Sequence, residues 1–517
     1  MGNNLEYKGS LSPIKKIFKI LTILLVYSSV IYFFAFDTAD PDLWGHIRFG
    51  EEIWVTKSIP QVDQYSYTAY GREWINHEWL SEVLMYGVYH ILGPKGLLIV
   101  KIIIGLAIVF VLMRMIHNQR CDPLIFAIVF VISVSVISPG FMTRPQILTY
   151  FFTAFYLFVF HLYLEGKKNL LWSLPLIMII WVNSHGGFLV GIGIFSIIVI
   201  SEIFLGFVKK HDPRHLRDLI TWLFITGFST LINPFGIRLI AFLYESLSVS
   251  RNITEWGPVS IFDFSYFRLK SLSVLFVLSI FAKKGGYRYR EIVIIAIAMI
   301  YGFLHQRHTP IFAILAAPFL AVKLSDIWKR LGLKRRLNSF SSHLVLCIVI
   351  SLIIGYQLSY TSNRYIKTGF NIIVDPNIYP VRAIRFIKAN HVRGNMLLPF
   401  EWGEYAIWKL YPDCRVSIDG RFRTVYPQEV LDDQFMAFKS EKAWDRLLDK
   451  YPSDIILARR NYISRRMVTE RKDWICIYSD NMSFVFFKDV IGQKKVVNAF
   501  REKSLIYPKS PVSIFFP

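Results

Sequence analysis

Asp40-Pro41-Asp42 places two carboxylates one residue apart, directly after the apolar run from Leu21 to Phe36. Two acids at that spacing can hold a divalent cation, and one of them can act as a general base. In a partly desolvated cleft a carboxylate's pKa rises toward the working range. The plain alternative is a proline turn in which Asp42 caps a helix beginning at Leu43. Capping gives no reason for Trp44, His46 and Arg48 to follow at helical spacing. A second set stands at Asn76-His77-Glu78-Trp79. A His-Glu pair beside an indole suits a sugar, stacked on the ring and hydrogen-bonded from its flanks. The alternative is a helix start, with Asn76 as cap and Glu78 on the macrodipole.

The cations come from farther along. Lys101 lies one turn inside the second apolar block, Arg144 opens the fourth, and Arg307-His308 falls between the ninth and tenth. Charges at such depths are costly and usually have a partner. For Lys101 the alternative is snorkelling to the headgroups. A lipid-linked phosphate or pyrophosphate would supply a partner for Arg307. Asn183 and His185 sit in W-V-N-S-H-G-G, a glycine-softened turn.

These residues need a scaffold, and composition names its class. The chain has 517 residues, 54% hydrophobic and 16% aromatic, with a mean hydropathy of +0.40. Soluble domains hold about 45–50% apolar residues. The excess lies in blocks at 17–36, 96–113, 123–139, 146–163, 170–182, 187–208, 218–233, 269–282, 291–304, 309–322 and 341–358. They predict a polytopic α-helical membrane protein of about eleven spans. The first block has no small-residue cleavage site after it and reads as a retained span. Glu6 stands where a myristoylation signal wants Ser or Thr.

The net charge of +22 does not signal nucleic acid, because the basic residues flank apolar blocks. Alternate gaps are basic: Lys15, Lys16 and Lys19; Arg114 and Arg120; Lys167 and Lys168; Lys209, Lys210, Arg214 and Arg217; Lys283, Lys284, Arg288 and Arg290; Lys329, Arg330, Lys334, Arg335 and Arg336. That alternation puts the N-terminus inside. The versatile residues then gather outside, with Asn233 and Glu255 among them. This fits one outward cavity built from many helix ends. Internal repeats and midplane charges of the transporter kind are lacking; Glu202 is the main polar exception.

The first external loop, 37–95, carries two amphipathic helical patterns, expected at the membrane surface. From 359 onward short strands (N-M-L-L-P-F, R-V-S-I-D-G, D-I-I-L-A, W-I-C-I-Y, S-F-V-F-F-K) alternate with helical stretches. That predicts a C-terminal soluble α/β domain with a partly parallel sheet. It holds no Gly-rich phosphate loop. The division expected is 1–358 for the membrane domain and 359–517 for the outer one. Cys414 and Cys476 both fall in the outer part, and the reading favours thiols over a disulfide.

Taken together, D-P-D-L-W-G-H-I-R-F-G, S-Y-T-A-Y-G-R-E-W-I-N-H-E-W-L, M-T-R-P-Q, W-V-N-S-H-G-G, L-I-N-P-F-G, E-W-G-E-Y-A-I-W and S-I-D-G-R resemble a family of bacterial membrane proteins described as GT-C-like glycosyltransferases. The resemblance runs over nearly the whole chain. More distantly the architecture is similar to protein O-mannosyltransferases, aminoarabinose transferases and the catalytic subunit of oligosaccharyltransferase. It implies sugar transfer from a polyprenyl-phosphate donor at the outer face of a bacterial cytoplasmic membrane, to a glycan, lipid or protein acceptor. It implies Asp40 as base or metal ligand, with Asp42 beside it. Gly45 stands where the family commonly has a second Trp, and Glu401 and Glu404 stand where it commonly has N-W-G-G.

The site expected is therefore Asp40, Asp42 and Glu78 for catalysis, with Asp40 and Asp42 holding Mg or Mn if a cation takes part. Trp44, His46, Arg48, Asn76, His77, Lys101, Arg144, Asn183, His185, Arg307 and His308 are expected to bind substrate. The rival readings are a membrane transporter or flippase and a non-catalytic cell-envelope assembly protein.

Overall fold

Each apolar block folds as a helix, and the helix ends sort onto two sides. The computed structural model describes residues 13–117, 119, 121–208, 213–247, 254–281, 289–332, 339–437, 441–461, 473–488, 494–508 and 514–517. Glu6 and, of the basic flanks, Arg120, Lys209, Lys210, Lys283, Lys284, Arg288, Lys334, Arg335 and Arg336 lie outside the described residues.

The helices in chain order are α1 (Pro13–Phe34), α2 (Leu43–Thr56), α3 (Trp79–Ile116), α4 (Pro123–Ile137), α5 (Gln146–Leu164), α6 (Ser173–Val182), α7 (Phe188–Val208), α8 (Pro213–Ser229), α9 (Ile237–Leu247), α10 (Phe267–Phe281), α11 (Tyr289–Leu304), α12 (Thr309–Arg330) and α13 (Phe340–Thr368). Among the described residues, eight segments are long and apolar enough to cross a bilayer unaided. The expected eleven are therefore not equal. The blocks at 170–182, 218–233 and 291–304 form the shorter helices α6, α8 and α11, of 10, 17 and 16 residues. At 1.5 Å per residue α6 covers only about 15 Å. The last span runs to Thr368, past the expected boundary at 358. The chain is an integral membrane protein.

Side-chain contacts fix the two sides. At the basic end Phe18 meets His343, Arg290 pairs with Glu202 at 2.5 Å, and Cys121 Sγ lies 3.3 Å from Ser325 Oγ. At the other end Trp79 Nε1 donates to Asn183 Oδ1 at 2.8 Å, and Asn183 Nδ2 donates to the Ile232 carbonyl at 2.8 Å. Tyr163, near the basic end of α5, donates to the His215 carbonyl at the start of α8. So α8, though short, runs from one side to the other.

The segment after α1 does not lie loose on the bilayer. Gly93, at φ 64°, breaks α3 ahead of Pro94, which separates an amphipathic surface piece from the span proper. The surface piece and α2 pack on each other and on the C-terminal domain. That domain carries a five-stranded sheet, β1 (Gly394–Leu397), β2 (Cys414–Val416), β3 (Ile455–Arg459), β4 (Trp474–Ser479) and β5 (Ser483–Lys488), in the order β2-β1-β3-β5-β4. β1 runs parallel to β2 and β3, while β5 is antiparallel to β3 and β4. All four cysteines are free thiols.

One hydrophobic core joins the first loop to this domain: Trp44, Phe49, Tyr65 and Trp74 share it with Tyr379, Trp402, Tyr405 and Phe516. Full burial of such side chains contributes on the order of 2–3 kcal/mol each. A buried charge cluster fastens the same seam. Arg421 pairs with Asp63 and Asp419, both at 2.7 Å, beneath the rings of Phe49, Tyr65 and Trp74. This is the work of the S-I-D-G-R motif. The first loop thus belongs structurally with the outer domain, and the pair forms one body on the helix bundle.

Candidate functional site

The chain reaches the site first at Asp40, which is 3% exposed. Its Oδ1 accepts from Arg144 Nε at 2.5 Å and from the Asp42 backbone N–H at 3.0 Å. Arg144 Nη1 lies 3.1 Å from Asp42 Oδ2 and 3.4 Å from Glu255 Oε1. One guanidinium thus gathers three carboxylates from two segments, the Asp40-Pro41-Asp42 turn and the Glu255 stretch. Burial pushes the Asp42 carboxyl up to about 6; Arg144 opposes that rise and Asp40 adds to it.

Glu78 stands among imidazoles. Its Oε1 is 3.6 Å from His185 Nε2 and 3.9 Å from His77 Nε2. Burial pushes Glu78 up, but His77, His46 and Arg307 outweigh it and hold the carboxyl below its ordinary range. His185 is neutral, its pKa lowered to about 3, chiefly by burial. Its tautomer follows from its neighbours. Nδ1 accepts from the Gly187 backbone N–H at 2.9 Å and faces Thr149 Oγ1 at 2.9 Å, so Nε2 carries the proton toward Glu78. Trp181 Nε1 donates to the same Thr149 oxygen at 2.9 Å, which turns the threonine O–H toward His185.

The third group is the turn before α12. Arg307 Nη2 donates to Gln146 Oε1 at 3.1 Å, and its guanidinium lies 4.9 Å from the Trp256 ring centroid. His308 meets the same indole edge-on at 5.9 Å. Among the described residues no carboxylate contacts Arg307, so its charge is not spent in an ion pair. It also stands at the N-terminus of α12, where backbone N–H groups favour an anion.

The entrance to α5 joins the three groups. Arg144 serves the aspartates, Gln146 holds Arg307, and Thr149 orients His185. Asp40, Asp42, Glu78, His77, Arg144, His185, Arg307 and His308 therefore gather at one end of the bundle.

Other expected ligands are used within the protein. Trp44 is fully buried against Tyr379 and Tyr405, at 4.7 and 4.9 Å, so it is no platform for a sugar. Arg48 pairs with Glu51 at 2.6 Å on its own helix and leans on Tyr411. Asn76 donates to Glu82 Oε2 at 2.6 Å and accepts from the Glu78 backbone N–H. Glu82 in turn lies 3.5 Å from His46, which places His46 behind the Glu78 group. Asn183 spends its amide on Trp79, Ile179 and Ile232. Lys101 is buried and donates to the Phe36 carbonyl, so it does not snorkel.

Sequence reasoning put Glu255 on the outer side without giving it a role, and left Trp256, Gln146, Thr149 and Glu404 out of the site. T-E-W-G carries the same acid-indole signature as N-H-E-W and was open to that argument. Gln146 and Thr149 carried no such signal. A separate cavity of about 300 Å³ lies at the basic end, lined by Leu157, His161, Arg290, Leu315 and Lys323 among others. None of the expected site residues lines it.

A helical membrane bundle whose acidic first loop folds onto a C-terminal α/β domain has GT-C-like architecture. Solved structures similar to it include two of ArnT from Cupriavidus metallidurans. In the apo state that protein matches at a TM-score of 0.50 and 10% identity, over 90% of this chain and 97% of its own. ArnT bound to undecaprenyl phosphate matches at 0.44 and 10% identity, over 92% and 98%. No family model and no curated protein matches the sequence.

Proposed function

We propose that this protein is a membrane glycosyltransferase that moves a sugar from a polyprenyl-phosphate donor to an acceptor hydroxyl. The observation that carries the reading is the gathering of Asp40, Asp42, Arg144 and Glu255 beside the Arg307 turn, at one end of a GT-C-like bundle. The basic flanks support an N-terminus inside a bacterial cytoplasmic membrane, with the site and the α/β domain extracytoplasmic. The acceptor is a glycan, a lipid or a protein.

Arg307 and the N-terminus of α12 receive the donor phosphate, with His308 beside it. Glu78, His77 and His185 hydrogen-bond the sugar. The base is Asp42 rather than Asp40. Asp40 is more deeply buried and holds Arg144, whereas the Asp42 side chain is 24% exposed and titrates near about 6. A base works best with a pKa near the operating pH. Asp42 takes the proton of the acceptor hydroxyl as its oxygen bonds to the anomeric carbon. The bond from that carbon to the phosphate oxygen breaks, and the phosphate leaves with the electron pair. Phosphate departs without a proton, so a second carboxyl at glycosidase spacing is not required.

A divalent cation on Asp40 and Asp42 does not fit this arrangement. Arg144 already lies between Asp40 Oδ1 and Asp42 Oδ2, and among the described residues no group of three His, Cys, Asp or Glu side chains is placed to hold a metal. No step above uses one.

The test uses membranes carrying Asp42→Asn and a polyprenyl-phosphate sugar labelled in the sugar. The variant should bind the donor and fail to transfer from it; retained transfer would remove Asp42 from the base role. Solute flux in proteoliposomes without any new glycoside would replace the reading with a transporter.

A further inference from the structure

The start of α2 is capped from another domain. Asp42 is the N-cap residue, yet its side chain makes no capping hydrogen bond. An N-cap aspartate ordinarily accepts from the backbone N–H two or three residues on. Here the Gly45 N–H, the third of the helix, donates to Glu404 Oε2 at 3.0 Å. Glu404 lies in the helix Gly403–Leu410 of the outer domain and is 3% exposed.

Two glycines make room for its carboxyl, and a third, Gly403, lets its helix approach the Ile418–Asp419 backbone. A Cβ on Gly45 would stand 2.2 Å from Glu404 Oε2. A Cβ on Gly420 would stand 2.4 Å from Glu404 Oε1 and 2.6 Å from Asp42 Oδ1. A Cβ on Gly403 would stand 2.2 Å from the Ile418 carbonyl. The Glu404 and Asp42 carboxyls therefore flank one glycine, with Asp42 turned to Arg144 on its other side.

We propose that Glu404 is a positioning residue for Asp42: it supplies the α2 cap from the outer domain and so leaves the Asp42 carboxylate on Arg144. This rests on the reading of Asp42 as base given above. Of the positions that depart from the pattern of the resembled family, Gly45 and Glu404 are then a single physical device, while Glu401 faces Arg459 instead. Without the glycine the carboxyl cannot reach the helix; without the carboxyl the N-cap residue Asp42 is the acceptor that helix geometry offers the orphaned N–H.

Burial, Asp42 from the first loop and Asp419 from the outer domain push the Glu404 carboxyl well above the ordinary range, against the Gly45 N–H and Arg421. Tyr379 also faces it. A carboxyl raised in the fold stabilises docking most at acid pH. That contribution fades as pH climbs from the ordinary glutamate range through the raised value.

The experiment compares Glu404→Ala, Glu404→Gln and Glu404→Ala/Asp42→Ala in the full chain, reading donor transfer against pH and hydrogen exchange at the Gly45 amide. Glu404→Ala should lower kcat about three- to thirtyfold, the scale of a lost cap, with the donor KM unchanged. Its Gly45 amide should stay protected, because Asp42 falls back onto it, and protection should vanish in the double variant. Glu404→Gln, whose amide oxygen can accept from Gly45, should restore kcat and remove the alkaline decline. Normal kcat in Glu404→Ala would overturn the proposal, as would Glu404→Gln no better than Glu404→Ala. If the wild-type chain transfers no sugar, the functional reading fails by itself. The exchange series then decides the capping: loss of protection only in the double variant supports it, and retained protection there overturns it.

Discussion

Arg144→Ala removes the charge that three carboxylates share. The Asp40 side chain is 4% exposed, that of Asp42 24% and that of Glu255 45%. At an effective dielectric of about 20, unit charges about 3 Å apart attract by about 5 kcal/mol, and desolvation of the guanidinium offsets part of that. Leaving one member of a buried pair alone costs about 3–5 kcal/mol. Asp42 adds about 1 kcal/mol at its exposure, and Glu255 almost nothing. The total, about 5 kcal/mol, is a large share of the roughly 5–15 kcal/mol that holds a fold. If the loop and outer domain melt as one unit of about 200 residues, Tm should fall by roughly 10–20 °C.

Thermal melting in detergent measures the loss, and pH gives it a sign. Asp42 titrates near about 6 with Arg144 beside it. Arg144 is the charge that holds it down, so without the guanidinium the carboxyl titrates higher still. A carboxyl raised above its unfolded value stabilises most at acid pH, and the benefit is lost as pH rises through the folded value. The deficit of Arg144→Ala should therefore shrink as pH falls through 6 toward 5, and be greatest above 7. A variant that melts with the wild type at pH 7, or a deficit that ignores acidification, would refute the shared-charge account.

Three further outcomes are expected. Arg307→Ala should raise the donor Kd by about 10- to 100-fold, the scale of a lost charged hydrogen bond of roughly 1.5–3 kcal/mol, in a binding assay with labelled lipid; unchanged binding moves the phosphate elsewhere. Trp44→Ala should cost about 3–5 kcal/mol of stability through the cavity it leaves and leave the donor Kd of the folded fraction as it was; weakened donor binding would return Trp44 to the site. Transfer should decline on acidification with a midpoint near pH 6, as Asp42 gains a proton; a rate flat from pH 5 to 7 would exclude it as base.

The sequence carried the bundle and the sheet because both rest on local pattern. Five strand-like runs became the five strands, and each apolar block became a helix. Span number was less legible, because hydropathy reports that a segment is apolar but not how much of it the neighbouring helices cover. Residue types at helix ends pointed to Asp40, Glu78, Arg144 and Arg307. What they did not give was direction. Trp44 and Asp42 sit two residues apart on α2, and the faces they present depend on a domain more than 300 residues later. Asn76 and Asn183 fit a sugar site by type, but each satisfies backbone or side-chain partners that only the folded seam creates.

The division of charge between the two bodies follows from that seam. Asp40 and Asp42 belong to the loop that shares its core with the outer domain, while Arg144 and Arg307 belong to the helix bundle. The cap on α2 and the Arg421 cage are both internal to the outer body. They fix where the aspartates point before the bundle is considered. The bundle, through the α5 entrance, fixes where the cations stand. Neither body holds both halves of the chemistry. In the proposed reaction an anionic lipid entering beside Arg307 would meet a carboxylate base presented by a separately built surface, with Arg144 between the two acids of that surface. That arrangement keeps the base from pairing with the phosphate-binding cation, which a single helix carrying both residues would not prevent.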